Sequence, residues 1–348
     1  MGNDDRQIMI NSTHLRRYSF VTVGFEGDAG LLNLQARSMR MFCPPELIEE
    51  IIIVDNSSPG SRNWRDELLH QYGNHAGFVR IVPAASIVAI SKDTNGWLTQ
   101  QILKIKVASI VRSERYVILD AKNHLIARLG LEFLETPTGQ PRANGYPYFD
   151  HFMRQYLERT LDYLGIDPKP HISWFIRTHT PFIMLTNEAS ELVRNVEQRE
   201  ARPFASVFLD RKLSEFFLYS GFLVSKGTLQ QIYDLTQTHE PQVWPENADE
   251  QGCAEAIRNA EQTGCPFITV HRRALAKMNK NGQTLLADFW HSRGLFASTK
   301  DGLRFLRDPN RSYQNPEGRV VSWPVSRIAA HFRVPDRGSV NPSPLGDG

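Results

Sequence analysis

Hydrophobic positions in the first third of the chain follow two alternating patterns. Phe20-Val21-Thr22-Val23, Ile51-Ile52-Ile53-Val54 and Tyr116-Val117-Ile118-Leu119 are short, nearly unbroken apolar runs. A strand with one wetted face would alternate, so these runs predict strands covered on both sides. Between them apolar residues recur at helical spacing. Leu31, Leu34, Ser38 and Met41 trace one face of a segment stopped by Pro44-Pro45; Trp64–Tyr72 predicts a second helix. Gly96-Trp97 opens a third, with Leu98, Ile102, Ile105 and Ser109 on one side, and Phe78–Val82 is a weaker strand. Strands alternating with helices predict an α/β fold of Rossmann-like type, a mainly parallel sheet flanked by helices.

The remainder is less regular. Thr136–Tyr148 is a loop by composition, Phe149–Leu164 a predicted helix ended by Gly165, Phe182–Leu185 a strand and Asn187–Val196 a helix. Ser214–Leu223 is aromatic and fits either type. His239–Gly252 predicts a second long loop, and Phe267–Val270 a last strand. The expected organisation is an extension over 1–17, one domain over 18–306 with C-terminal elaborations, and a basic segment with a disordered tail over 307–348. Arg304, Arg307, Arg311, Arg319, Arg327, Arg333 and Arg337 make that end locally basic: a solvated surface, or one with weak attraction for anionic glycan or a membrane.

Charge narrows the partners. Over 348 residues, 40 Lys and Arg face 38 Asp and Glu, a net charge of +2, so no pull toward nucleic acid is expected. Three cysteines are too few and too spread for a disulfide framework or a zinc cluster and fit a reduced compartment. No apolar run approaches the ~18 residues that span a bilayer. A cytoplasmic protein is the expectation.

Ligands in open α/β sheets bind outside the carboxyl ends of the strands. Asp55 and Asp120 stand at two such ends, placed to accept hydrogen bonds from a ribose or base or to ligate a hard cation on a diphosphate; a turn-capping Asp is the plain alternative. Gly24, Gly27 and Gly30 follow the first strand, but their spacing is not the dinucleotide fingerprint, and Glu26 and Asp28 would repel phosphate. A strand-to-helix turn accounts for them. Gln100 and Lys104, four apart, share a helix face with Gln101 beside them and suit sugar hydroxyls or phosphate oxygens. Glu215, flanked by Ser214, Phe216 and Phe217, is a desolvated carboxylate of the kind that serves as a general base. His151, His171, His179, His271, His291 and His331 show no ligand-like spacing.

The segments IIIVDN, GWLTQQILKIK, YVILDAKNHLI, TPFIM and SEFFLYSGFL, spread from about Tyr18 to about Val224, resemble a bacterial family of uncharacterised proteins predicted to be GT-A-fold glycosyltransferases. The resemblance implies a GT-A-like domain that takes a nucleotide-sugar donor and a glycan or other hydroxyl acceptor, with surface polysaccharide or capsule assembly as the setting. It places Asp55 at the nucleoside and Asp120 at the diphosphate. Gln100, Lys104, Lys122, Asn123 and Tyr219 are its donor-side candidates, Glu215 and Asp120 the catalytic ones, and His291 a late metal ligand beside Asp120. One departure stands out: where GT-A enzymes carry Asp-x-Asp, this chain has Asp120-Ala121-Lys122-Asn123. Either Lys122 offsets the diphosphate charge without metal, or Asp120 with Asn123 or His124 still binds Mn2+ or Mg2+. An inactive GT-A-shaped nucleotide- or glycan-binding protein and a nucleotidyltransferase are the rival expectations.

Overall fold

The computed structural model describes residues 16–57, 64–91, 94–236 and 240–307. The strands run in chain order as β1 (Tyr18–Gly24), β2 (Ile48–Asp55), β3 (Val79–Pro83), β4 (Arg115–Leu119), β5 (Asn123–Leu125), β6 (Gly145–Tyr146), β7 (Phe175–Ile176), β8 (Phe182–Leu185), β9 (Gln242–Val243) and β10 (Phe267–Val270). The main sheet has the order β3-β2-β1-β4-β8. Its first four members are parallel, and β8 closes the edge antiparallel to β4. This is the expected α/β fold with a mainly parallel sheet flanked by helices. The last predicted strand, β10, lies outside that sheet, in a small one with β5 and β9.

Alternate residues of each strand serve opposite layers, as the two-residue repeat of a strand requires. Phe20, Ile51, Ile53, Val117 and Leu119 face the layer of α1 (Ala29–Phe42) and α2 (Arg65–Tyr72). Val21, Val23, Ile52, Val54 and Ile118 face α3 (Gly96–Lys106) on the other side. The helix predicted from Phe149 begins later, as α4 (Arg154–Tyr163), because Phe149 and Phe152 stand exposed in a turn. Next come α5 (Thr186–Glu200) and α6 (Glu215–Ser225); the aromatic segment of undecided type is thus a helix, buried over nine of its residues. Both pack on the α3 side. The final helices, α7 (Glu250–Thr263), α8 (Lys280–Ser292) and α9 (Thr299–Arg307), extend the α1 side.

Smaller differences have local causes. The loop predicted over Thr136–Tyr148 contains β6, paired with β7, and the one over His239–Gly252 contains β9; both strands are two residues long, too short to leave a periodic signature. Met41 is 40% exposed and Met39 takes the buried place on α1. Ser109 falls in a turn after α3, exposed. Gly24 is needed for close packing: a β-carbon there would lie 2.8 Å from Leu32 Cδ1. Arg311, Arg319, Arg327, Arg333 and Arg337, and the extension over 1–15, lie outside the described residues. Among the described residues no helix is long and apolar enough to cross a membrane, and the three cysteines are free and buried.

Candidate functional site

Asp120 follows β4, next to the central strand, at the carboxyl edge where the crevice of such a sheet opens. The turn after it is pinned from several sides. Asn123 Oδ1 accepts the Asp120 N–H at 2.7 Å, and the Asn123 N–H returns to the Asp120 carbonyl at 2.9 Å. Gln35 of α1, itself held by Thr22 of β1, donates to the carbonyls of Asp120 and Asn123. Asn123 Nδ2 donates to the Thr180 carbonyl and to Thr269 of β10. A turn so committed carries its carboxylate on a rigid mount.

Strand alternation puts the Asp120 side chain on the α3 and α6 side, where four charges alternate. Lys122 Nζ lies 2.8 Å from Asp120 Oδ2, and Lys104 Nζ lies 2.9 Å from Oδ1. Lys104 also reaches Glu215 Oε1 at 3.3 Å, and Thr180 Oγ1 donates to Asp120 Oδ2 at 3.0 Å. Lys104 and Glu215 are buried; the Asp120 and Lys122 side chains keep 20% and 18% of their surface open. Burial alone would push the Asp120 carboxyl up, but the two lysines overcome it and hold it well below the usual carboxylate range. Burial works against the Lys104 charge too, and Asp120 and Glu215 outweigh it, so its pKa is raised. For Glu215 burial wins over Lys104, and its pKa is raised. The cluster therefore holds a firmly ionised carboxylate, two ammonium groups and one carboxylate biased toward taking up a proton.

Gln101, not Gln100, reaches this cluster. Its Oε1 accepts the Glu215 N–H at 3.3 Å, and its buried Nε2 has no hydrogen-bond partner among the described residues. Gln101 and Lys104 are three apart, which puts them on one helix face as surely as a spacing of four. Gln100 is half buried on the neighbouring face.

Asp55 shares the edge but not the cluster. It ends β2 opposite Gly24 of β1, two strand positions from Asp120, about 10 Å at ordinary strand spacing. Alternation turns it toward the α2 side, where the Arg65 guanidinium grips Oδ2 and the Ser57 N–H donates to Oδ1 at 2.9 Å. Ser57 Oγ in turn accepts from Trp64 Nε1 and the Glu26 N–H. Asp28 is paired with Arg272 at 3.1 Å; burial raises its carboxyl to about 6 against that arginine's pull, with Asp120 contributing in the same upward direction.

Three expected roles do not fit where their residues lie. Asn123 is fully buried and its amide is spent on the turn, so it holds Asp120 in place and is not itself open to a donor. Tyr219 is fully buried on α6; the Leu185 N–H donates to its hydroxyl, which also meets Tyr233. One helical turn past Glu215, it packs under β8 and offers no surface to a sugar. His291 is exposed on α8, its Nδ1 on the Phe296 carbonyl. A divalent cation does not suit this set either. Among the described residues no group of three or more His, Cys, Asp or Glu side chains is placed to hold a metal, and both Asp120 oxygens carry ammonium groups. Burial lowers the His124 imidazole to about 3, and its Nε2 accepts from Trp290.

The sequence named Gln101 only as a neighbour of the Gln100 face, and did not single out Gln35, Thr180 or Arg272, nor Trp244, whose ring lies 5.1 Å beneath Lys122 Nζ. The doubled glutamine was the available signal for Gln101. The others come from segments distant along the chain, and only the fold brings them here.

The model of a family of unknown function, DUF6492, matches residues 23–263, more than half of the chain. The chain belongs to DUF6492. No curated protein matches it. Among solved structures, this DUF6492 chain is similar to galactosyltransferase LgtC in complex with donor and acceptor sugar analogs, at 11% identity and a TM-score of 0.43, over 79% of this chain and 99% of that one. It is similar to mouse xyloside xylosyltransferase 1 at 12% and 0.42, over 73% and 97%. It is also similar to the bifunctional glycosyltransferase WbbM at 12% and 0.42, over 75% and 46%. The DUF6492 chain thus spans under half of WbbM, and 64% of an active-site mutant structure of LgtC.

Proposed function

We propose that the chain is a glycosyltransferase that moves a sugar from a nucleotide-sugar donor to an acceptor hydroxyl, and that it does so without a resident divalent cation. The observation that carries this is the pairing of Asp120, at the crevice edge beside the central strand, with two lysines in the place of a metal. A donor diphosphate entering the crevice meets Lys122, which is partly open, and can draw its ammonium off Asp120. Lys122 then stabilises the charge that develops on the leaving phosphate, fixed in place before the reaction begins. Asp120, held ionised, keeps Lys104 charged and holds both lysines in place. Glu215, with its raised pKa, takes the acceptor proton, and Gln101, whose Oε1 accepts the Glu215 N–H, holds that residue in place. Asp55 acts from the far end of the same edge through Arg65 and Ser57, where the nucleoside would lie. The sequence resemblance given above supports the same reading.

Incubation of the purified chain with a panel of nucleotide sugars tests it. Release of nucleoside diphosphate, abolished in Asp120→Asn, is the expected result; release of pyrophosphate would point to a nucleotidyltransferase instead. One observation favours a second reading: both Asp120 oxygens are already engaged. A binding protein without turnover would take up the nucleotide sugar and release nothing.

A further inference from the structure

We propose that a track of rings leading from Lys122 to the surface binds the acceptor, and that the acceptor is an extended oligosaccharide; this rests on the sugar-transfer reading above. Lys122 Nζ lies 5.1 Å over the Trp244 ring, which stacks on His271 at 4.8 Å and 23°. From Trp244 the track continues to His179 at 6.0 Å, Tyr146 at 5.9 Å and His151 at 5.0 Å, and ends at Phe152, stacked on His151 at 4.7 Å and 27°. Trp244, His179, Tyr146 and His151 are half buried, and Phe152 is 51% exposed. The rings come from five separate places: β6, the turn before α4, the connection from β7 to β8, the stretch after β9 and, for His271, the residue after β10. Tyr146 also packs on the core around Tyr148 and Phe217, whereas no single helix face or core layer requires Trp244, His179 and Phe152 to continue that line.

The chemistry of the track selects its occupant. A sugar presents an apolar C–H face and a rim of hydroxyls, and it needs aromatic faces with polar edges close by. Here each ring except Phe152 has a polar edge: the Trp244 N–H is held by the Gln242 amide, which also bonds Glu240, the His151 and His271 Nδ1 atoms accept backbone N–H groups, and the Tyr146 hydroxyl is buried. A lipid surface calls for an unbroken apolar face with a basic rim, yet Asp150 interrupts this one between Phe149 and His151. Single-stranded nucleic acid calls for a positively charged groove, and of the side chains named on the track Lys122 alone is a full cation. A monosaccharide would use one or two rings; a succession this long is matched to several sugar units in a row.

A printed array of linear oligosaccharides of graded length, with the matching monosaccharides, tests the assignment on the full chain. The expected signal rises with chain length. Phe152→Ala, at an exposed position that does not threaten the fold, should lose about tenfold on the longest chains, the effect of one aromatic anchor, and little on the shortest. Trp244→Ala should lose at every length. A thermal-shift measurement with nucleotide sugars runs alongside. Signal independent of length, no signal, or an undiminished signal in Phe152→Ala overturns the acceptor assignment. So does binding to phosphatidylglycerol vesicles that Phe152→Ala abolishes. If the wild type shifts with no nucleotide sugar, it is the sugar-transfer reading beneath the assignment that fails.

Discussion

Lys122 decides what kind of site this is. An ammonium group 2.8 Å from Asp120 competes with any divalent cation for the same oxygen, so the wild-type chain should turn over donor undiminished in excess EDTA. Lys122→Asp restores a carboxylate two residues from Asp120, the arrangement that hard cations favour. Calorimetric titration with Mn2+ should then show binding that the wild type lacks. Lys104 is a different case because it is buried between two carboxylates. Lys104→Met keeps the length of the side chain but leaves Asp120 and Glu215 facing each other uncompensated, which should cost about 3 kcal/mol or more in urea unfolding. At Asp28 the carboxyl ionises near 3.8 in the unfolded chain and at about 6 in the native one. The native state therefore holds that proton more tightly, and this group's contribution to stability falls as pH rises between those values, then stays level. Asp28→Asn should flatten the decline in unfolding free energy over that window, and an unchanged slope would count against the burial of Asp28. The sequence showed Asp120, Lys104, Lys122 and Glu215 as separate chemical candidates. It could not show that they alternate in one cluster, because 95 positions separate Asp120 from Glu215 and no local pattern records a contact across such a gap.

At the scale of elements, α3 is the piece that delivers Gln101 and Lys104 to the edge of the sheet. Its N-terminus is capped by Asn95, whose side chain accepts the Trp97 N–H at 2.8 Å. Asn95→Ala should lower stability by about 1 kcal/mol in urea unfolding, and retention of full stability would show that tertiary packing alone fixes the start of the helix. The helix was legible beforehand from the apolar spacing of Leu98, Ile102 and Ile105. The type of the Ser214–Leu223 segment was not, since a helix buried over most of its surface has no polar face to reveal its period. The same physics hid Tyr219: an aromatic beside a candidate base looks like a sugar platform until its burial is known. The strands β6 and β9 escaped because two residues cannot establish an alternation, although β9 leads into the segment that bears Trp244.

For the whole molecule, three of the four parallel strands were readable from their unbroken apolar runs, because a sheet covered on both faces has no wetted side to interrupt them, while β3, broken by Arg80 and half buried, left a weaker signal. The antiparallel direction of β8 and the pairing of β10 with β5 and β9 in a separate sheet were not readable, since direction and partner are set by the path of the chain between strands. That path matters for function: it carries Thr180 to Asp120 and sets Trp244 and His271 beside Lys122. The account as a whole depends on a diphosphate being gripped by lysine in place of metal. Calorimetric titration of the wild-type chain and of Lys122→Ala with a series of nucleoside diphosphates, all in EDTA, tests this most directly. At least one nucleoside diphosphate should bind the wild type and lose about tenfold in affinity in Lys122→Ala, the loss expected of one charged hydrogen bond. Binding that appears only when Mn2+ replaces EDTA, or that Lys122→Ala leaves intact, would contradict it.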